Sequence, residues 1–411
     1  PTPSQLLIPF RQHIGAPCRP VINRGDSVVY GQLLAEEGGF VSTRIHAAAT
    51  GRIKLLNLRW HVNGRKELTA ELDVAEDPGI PRTPDAVDWS VLDRLERKEI
   101  LSRIQEAGIV GMGGAGFPTH VKLQPPETKP IEIAILNGCE CEPYLNADNR
   151  LMIERSELSV FGFKAVMKVL GAKTGIIAIE SNKPEAASLM KSACKGHNDL
   201  TISILQTKYP QGGEKMTILA ATGRRVPEGG LPMDVGTVVS NIGTSVAIAE
   251  AVLWNRPLTH RVLTVAGSGV KKPGNLLVPI GATIGNCIEF CGGLSPDACA
   301  LIIGGPMMGL AITDLDVPVI KTTSGILVLS KEEYGLPDES ACIRCARCVD
   351  RCPLSLLPSQ IYRYAQRQDW DVLKKDLHLL NCMECGSCAY VCPAGIPLVQ
   401  HIRVAKALLP K

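Results

Sequence analysis

The chain has 411 residues, 45% hydrophobic and 21% charged, a balance that suits a globular protein of about two to four domains and excludes a disordered one. A formal net charge of +3 and only 4% aromatic residues argue against a nucleic-acid surface, which needs a strong basic field or a stacking platform. No stretch reaches the roughly eighteen uninterrupted apolar residues of a membrane span; the best candidate, residues 298–312, is broken by Gly304, Gly305, Pro306 and Gly309.

Residues 1–80 alternate short apolar runs with glycine turns (Gly25, Gly31, Gly51), which predicts short strands. The pattern is similar to the barrel-sandwich hybrid of lipoyl and biotinyl carriers. Those carriers need a lysine at a hairpin tip, and here the first lysine is Lys54, beyond the hairpin, so a swinging arm is excluded. His46, alone in a strand, reads as structural. Residues 78–84 are proline-rich and mark a boundary.

Residues 91–107 carry helical apolar spacing (Leu92, Leu95, Ile100, Leu101, Ile104). Five glycines then fall within nine residues (Gly108, Gly111, Gly113, Gly114, Gly116), followed by Phe117, Pro118 and Lys122. The run contains G-x-G-x-x-G, but a helix precedes it and Phe117-Pro118 follows, so it is not a Rossmann turn. Its glycine density suits backbone amides that approach a flat ring or a phosphate. A strand at 131–136 ends in Asn137, Cys139, Glu140, Cys141, Glu142 and Tyr144, where α/β sheets bind ligands. Cys139-x-Cys141 lacks a second pair and is not read as a metal site. Helices at 154–170 and 184–195 alternate with strands at 175–180 and 200–206, which predicts a largely parallel sheet over about 100–255. Gly212, Gly213, Glu214 and Lys215 form a turn entering a helix at 216–222, a second place for an anion. Asn241 and Thr244 precede a helix at 245–253 and are read as possible caps. From 261 the texture changes to a small β-grasp module, then a linker.

The last segment carries the most specific signal. Cys342, Cys345, Cys348 and Cys352 with Pro353 form C-x2-C-x2-C-x3-C-P, and thirty residues after Cys352 the pattern returns as Cys382, Cys385, Cys388 and Cys392 with Pro393. This is the spacing of bacterial ferredoxin [4Fe–4S] ligands, in which the fourth cysteine serves the other cluster. The expected sets are Cys342, Cys345, Cys348 and Cys392 on one cluster, and Cys382, Cys385, Cys388 and Cys352 on the other. Disulfides and structural zinc do not explain two such quartets. Arg344 and Arg347 are expected to raise the first cluster's potential. The helical stretch between the motifs suits an all-α ferredoxin domain, and the thiol-rich composition suits a reducing compartment, the cytoplasm.

The runs G-x-G-G-A-G-F-P-T-x-x-K at 111–122, N-x-x-E-C-E-P-Y at 137–144, G-G-E-K at 212–215 and N-x-G-T at 241–244 resemble the FMN- and NADH-binding subunit of complex I. The order of modules resembles the C subunit of the Rnf/Rsx ion-translocating ferredoxin:NAD+ oxidoreductase over essentially the whole chain. The resemblance implies a multidomain α/β protein: a barrel-sandwich hybrid (1–80), an FMN/NADH domain (90–256), a β-grasp segment of the soluble-ligand-binding type (257–315), a linker (316–336), and an all-α ferredoxin domain with two [4Fe–4S] clusters (337–411). It implies that Gly111, Gly113, Gly114, Gly116 and Lys122 form the FMN loop. Asn137, Glu140, Gly213, Glu214, Asn241 and Thr244 are further flavin contacts, and Phe117 and Glu142 lie near NAD(H). Cys139 and Lys215 depart from the complex I pattern, where acidic residues stand. The implied role is a peripheral subunit on the cytoplasmic face of the bacterial inner membrane, partnered by integral membrane and iron–sulfur subunits. A cluster-only docking subunit and a soluble diaphorase remain alternatives.

Overall fold

The computed structural model describes residues 2–76, 86–335 and 337–409. The proline-rich boundary expected at 78–84 lies outside the described residues. At the N-terminus a four-stranded antiparallel sheet runs in the order Gln5–Pro9, Lys66–Glu76, Thr50–Trp60, Ser27–Val28, and a three-stranded sheet in the order Arg19–Pro20, Leu33–Glu36, Ile45–His46. Leu6, Ile8, Ile53 and Leu72 from the first sheet and Leu34, Ala35 and Ile45 from the second share one core. That is the sandwich the alternating pattern predicts.

The same hydrophobic cluster continues into a five-stranded mixed sheet through Leu263, Val265, Ile326 and Val328. Its order is Gly274–Pro279, His260–Ala266, Gly325–Ser330, Ala298–Ile303, Leu310–Ile312. The linker expected at 316–336 is therefore corrected. Gly325–Ser330 is the middle strand, parallel to His260–Ala266 and antiparallel to Ala298–Ile303, and all six of its residues are buried. A continuous apolar run of this kind marks a strand covered on both faces.

The central domain is a four-stranded parallel sheet, ordered Leu200–Leu205, Thr174–Glu180, Ile133–Gly138, Thr237–Asn241. The helix expected at 154–170 is Ser156–Leu170, and a separate helix, Ala147–Glu154, precedes it across Arg155. Ser156–Leu170 packs on Ile242–Trp254, and Ser245 Oγ donates to the Ser159 carbonyl at 2.8 Å. A Cβ on Gly162 would strike the Ser245 carbonyl, so glycine there sets the helix spacing.

The C-terminal domain is all helical, built from short helices that include Pro358–Gln366 and Leu398–Leu408. Ile361 and Ile402 meet in its core with Leu373, Leu379 and Leu398. The apolar face of the last helix is thus core. Among the described residues no helix is long and apolar enough to cross a membrane.

Candidate functional site: a glycine loop against a cysteine-rich domain

Asn137 and Asn241 end adjacent parallel strands and are register partners. They stand at the carboxyl edge of the sheet, the usual ligand edge of an α/β fold. Asn137 donates from Nδ2 to the Gly212 carbonyl at 2.8 Å, so it ties its own strand end to the second glycine turn. Asn241 is the N-cap of Ile242–Trp254, its Oδ1 accepting from Thr244 N at 3.3 Å. Thr244, read as a possible cap, lies inside the helix instead, and its Oγ1 accepts from Met112 N at 2.8 Å and fixes the glycine loop to this helix.

The loop closes on itself, with Gly111 N donating to Phe117 O at 2.8 Å and Gly116 N to Gly111 O at 3.1 Å. Gly113 packs on Asn241, while Gly114, at φ +134°, faces open space with nothing within 4 Å of where a Cβ would stand. Lys122 Nζ bridges to Glu214 Oε1 at 2.8 Å, which joins two of the expected flavin residues from separate turns. Glu140 accepts from the Asp148 and Asn149 amides at 2.8 and 2.9 Å. Burial first, and the adjacent Asp148 carboxylate second, push Glu140 up to about 8. Glu142 accepts from the Met307 and Met308 amides at 3.2 and 2.9 Å, so part of its capacity is spent on the turn before residue 310. The exposed backbone of Gly113–Gly114, the Lys122 ammonium and the surrounding carboxylates and amides fit a flat, polar, phosphate-bearing ring.

Three residues that the sequence does not single out complete the arrangement. Arg261, buried in the strand His260–Ala266, donates to Met112 O at 2.8 Å and to Thr323 O at 2.9 Å, and it faces Asp148 and Glu140. Asp148 accepts from Asn241 Nδ2 at 2.5 Å. Tyr209 OH donates to the Cys385 carbonyl at 2.5 Å. An arginine within the apolar run R-V-L-T-V-A is the one available signal, since a buried charge needs a partner. A cavity of about 420 Å³ opens beside Glu142, Tyr209, Lys183 and Asn182. Phe117 is half-buried and contributes its carbonyl to the loop.

Cys342, Cys345, Cys348 and Cys392 line one cavity of about 290 Å³. The thiols facing Cys388 are those of Cys382, Cys385 and Cys352. Backbone amides point at two of these sulfurs, Leu356 N at 3.3 Å from Cys352 Sγ and Glu384 N at 3.4 Å from Cys382 Sγ. Among the described residues no three His, Cys, Asp or Glu side chains converge on a lone metal ion. A cubane asks for a different arrangement, in which each thiol reaches its own iron. Burial pushes Cys139 up to about 12 and Cys141 up to about 11, which leaves both as unreactive thiols. His46 is buried and held down to about 3, hence neutral.

The second cysteine set sits against the central domain and the five-stranded-sheet domain. Besides the Tyr209–Cys385 bond, a Cβ on Gly213 would collide with Met383 Cε, and one on Gly386 with the Met307 carbonyl. In the first set, by contrast, Cys342 and Cys345 are exposed.

Family models match in the order of these domains: the RnfC barrel sandwich hybrid domain at 1–76, the Nuo51 FMN-binding domain at 104–250, the SLBB domain at 262–311 and a 4Fe-4S dicluster domain at 336–396. The C subunit of the proton-translocating ferredoxin:NAD(+) oxidoreductase complex from Clostridium ljungdahlii is 46% identical over 99% of this chain and 88% of its own length. The chain belongs to the RnfC family. Its counterpart in the Na(+)-translocating ferredoxin:NAD(+) oxidoreductase complex of Acetobacterium woodii is 43% identical over 98% of this chain and 90% of its own length. In Citrobacter koseri the C subunit of an ion-translocating oxidoreductase complex is 39% identical over 99% of this chain, which spans 57% of that protein. An NAD+-reducing [NiFe]-hydrogenase chain in the H2-reduced state shares the fold, with a TM-score of 0.53 at 19% identity, over 79% of this chain and 64% of its own. The FMN-binding and dicluster domains expected of an RnfC protein are therefore present, as is its barrel-sandwich, α/β, SLBB and ferredoxin architecture.

Proposed function

We propose that this chain exchanges electrons between NAD(H) and a one-electron partner, as the peripheral NAD(H)-facing subunit of a membrane-bound ferredoxin:NAD+ oxidoreductase. FMN, when bound, supplies the conversion between two-electron nicotinamide chemistry and one-electron cluster chemistry. The chain's own part is to hold and orient. Gly111, Gly113 and Gly114 offer the ring and phosphate a close backbone, while Gly116, buried against Thr322 and His13, holds the loop in place. Lys122, paired with Glu214, brings positive charge, while Asn137, Glu140, Gly213, Asn241 and Thr244 fix the second wall. Phe117 and Glu142 face the nicotinamide nucleotide.

The observation that carries the reading is the bond from Tyr209 to the Cys385 carbonyl, with Gly213 against Met383. It supports the second set, Cys382, Cys385, Cys388 and Cys352, as the neighbour of the flavin loop. The first set, Cys342, Cys345, Cys348 and Cys392, is then the outlet at the surface. The partners are integral membrane and iron–sulfur subunits at the cytoplasmic face of the inner membrane. Protons are named for one relative's complex and Na+ for another's, and ion coupling belongs to the whole complex.

Anaerobic reconstitution with iron, sulfide and FMN, followed by NADH titration read by absorbance and EPR, tests this. About eight irons and one flavin per chain are expected, with flavin bleaching before cluster reduction. Full iron with no flavin bound under any condition would sink the flavin half.

A further inference from the structure

Residues 342–367, which run from the first cysteine motif through the helix Pro358–Gln366, contain five arginines (Arg344, Arg347, Arg351, Arg363, Arg367) and a single carboxylate, Asp350. The chain as a whole is close to charge balance, with 44 lysines and arginines against 41 acids. Among the described residues none of the five arginines is in an ion pair, although carboxylates hold cations in the barrel-sandwich domain, at the glycine turns and beside the second cysteine motif. Arg344, Arg347 and Arg363 line the same cavity as Cys342, Cys345, Cys348 and Cys392. Beside them stand apolar groups that folding leaves uncovered: Ile343 is 67% exposed and Leu357 43% exposed.

An apolar centre with an arginine rim is the anatomy of a protein interface, where arginine serves because its planar fork grips carboxylates in pairs. We propose that this face docks an acidic protein surface belonging to another subunit of the complex, one that presents carboxylates around its own one-electron centre. The rim supplies orientation and specificity, and the exposed thiols put the outlet directly under the partner. An anionic membrane would also attract the arginines. The protein partner is favoured because the cations share the cysteine cavity rather than spreading over a flat side, and because electron delivery requires a redox group on the other side. The inference rests on the reading that Cys342, Cys345, Cys348 and Cys392 hold a cluster.

The test uses the full chain reconstituted with iron, sulfide and FMN. Its binding is measured to the remainder of the complex, solubilised from a strain that lacks this chain, and in parallel to protein-free phosphatidylglycerol vesicles. The triple variant Arg344→Glu/Arg347→Glu/Arg363→Glu is expected to bind the remainder at least about tenfold more weakly, with a reduced dependence on KCl, while Lys98→Glu on another domain binds normally. The triple glutamine variant, less disruptive to folding, is expected to weaken binding in the same direction. Iron content and the EPR signature of the second cluster should be unchanged in all variants, while in the arginine variants the first cluster's potential falls with the lost positive charge. Unaltered binding in both triple variants overturns the proposal, and so does equally tight wild-type binding to the bare vesicles. Wild-type protein that takes up only about four irons would instead overturn the cluster assignment on which the proposal rests.

Discussion

Replacing Arg261 by methionine tests whether the proposed flavin loop is held from a neighbouring domain. The guanidinium makes two bonds to backbone carbonyls, Met112 at 2.8 Å and Thr323 at 2.9 Å, and is the main cation facing buried Asp148. Methionine keeps much of the volume but leaves both carbonyls without this donor and Asp148 without its main counter-charge. Breaking a direct buried ion pair from one side costs about 3–5 kcal/mol, which is a ceiling here because Arg261 acts on Asp148 through its field and its hydrogen bonds go to carbonyls. Protonating an ordinary aspartate at pH 7 costs about 4 kcal/mol, and because burial already raises Asp148, its escape to the neutral form costs less and caps the loss below that figure. The sign of the pH effect follows. Burial already raises Asp148, and removing the cation raises it further. A carboxyl with a raised folded pKa contributes stability that is present below its unfolded value and lost as pH rises through the folded one. The deficit of Arg261→Met should therefore be small near pH 4 and grow with pH. Adding Asp148→Asn removes the orphan charge and should recover about 2 kcal/mol or more of the loss. Urea unfolding can be followed through Trp89 and Trp254, which both pack on the central domain, together with FMN affinity. A double variant no better than Arg261→Met alone, with a deficit that ignores pH, would refute the pairing.

Cys352→Ala should remove the cluster of Cys382, Cys385 and Cys388, leaving about four irons and the EPR signature of the first set. Loss of the first signature instead would mean that the motifs do not exchange their fourth ligands. Tyr209→Phe removes the bond to the Cys385 carbonyl at a stability cost of about 1 kcal/mol. Stopped-flow absorbance should show slower transfer from flavin to cluster with iron content intact, and an unchanged rate would detach Tyr209 from the relay. Glu140, raised from 4.5 to about 8, is neutral in the folded site over that window, so its stabilising share is present below 4.5 and fades as pH rises through about 8. FMN affinity should weaken across that interval and become flat in Glu140→Gln; a wild-type profile already flat from pH 5 to 9 would count against it.

The features legible in the sequence are those written locally. Each cysteine quartet falls within eleven residues, and the glycine loop, the Asn137 turn and the parallel sheet follow from short periodic runs. Contacts between domains leave no such trace. Arg261 meets Met112 across 149 positions and Tyr209 meets Cys385 across 176, and no spacing rule reaches that far. The strand Gly325–Ser330 falls inside the expected linker because an apolar hexapeptide shows that it is buried but not which sheet receives it. Asp148 lies in a stretch whose family likeness is plain, yet its role depends on Arg261 arriving from the next domain.

The glycines themselves take on a second meaning. Their density suggests a ligand that needs close backbone, and Gly114, open on its Cβ side, fits that account. Gly116 does not: at φ +67°, a Cβ there would lie 2.6 Å from the Thr322 methyl, next to the buried middle strand of the five-stranded sheet, and 3.5 Å from the His13 backbone of the barrel-sandwich domain. Gly213 is pressed by Met383 of the ferredoxin domain. The two turns proposed to frame the flavin site are thus each clamped by domains outside the one that carries them. Their shape is a property of the assembled chain, so the positioning that electron transfer demands cannot be reproduced by the central domain alone.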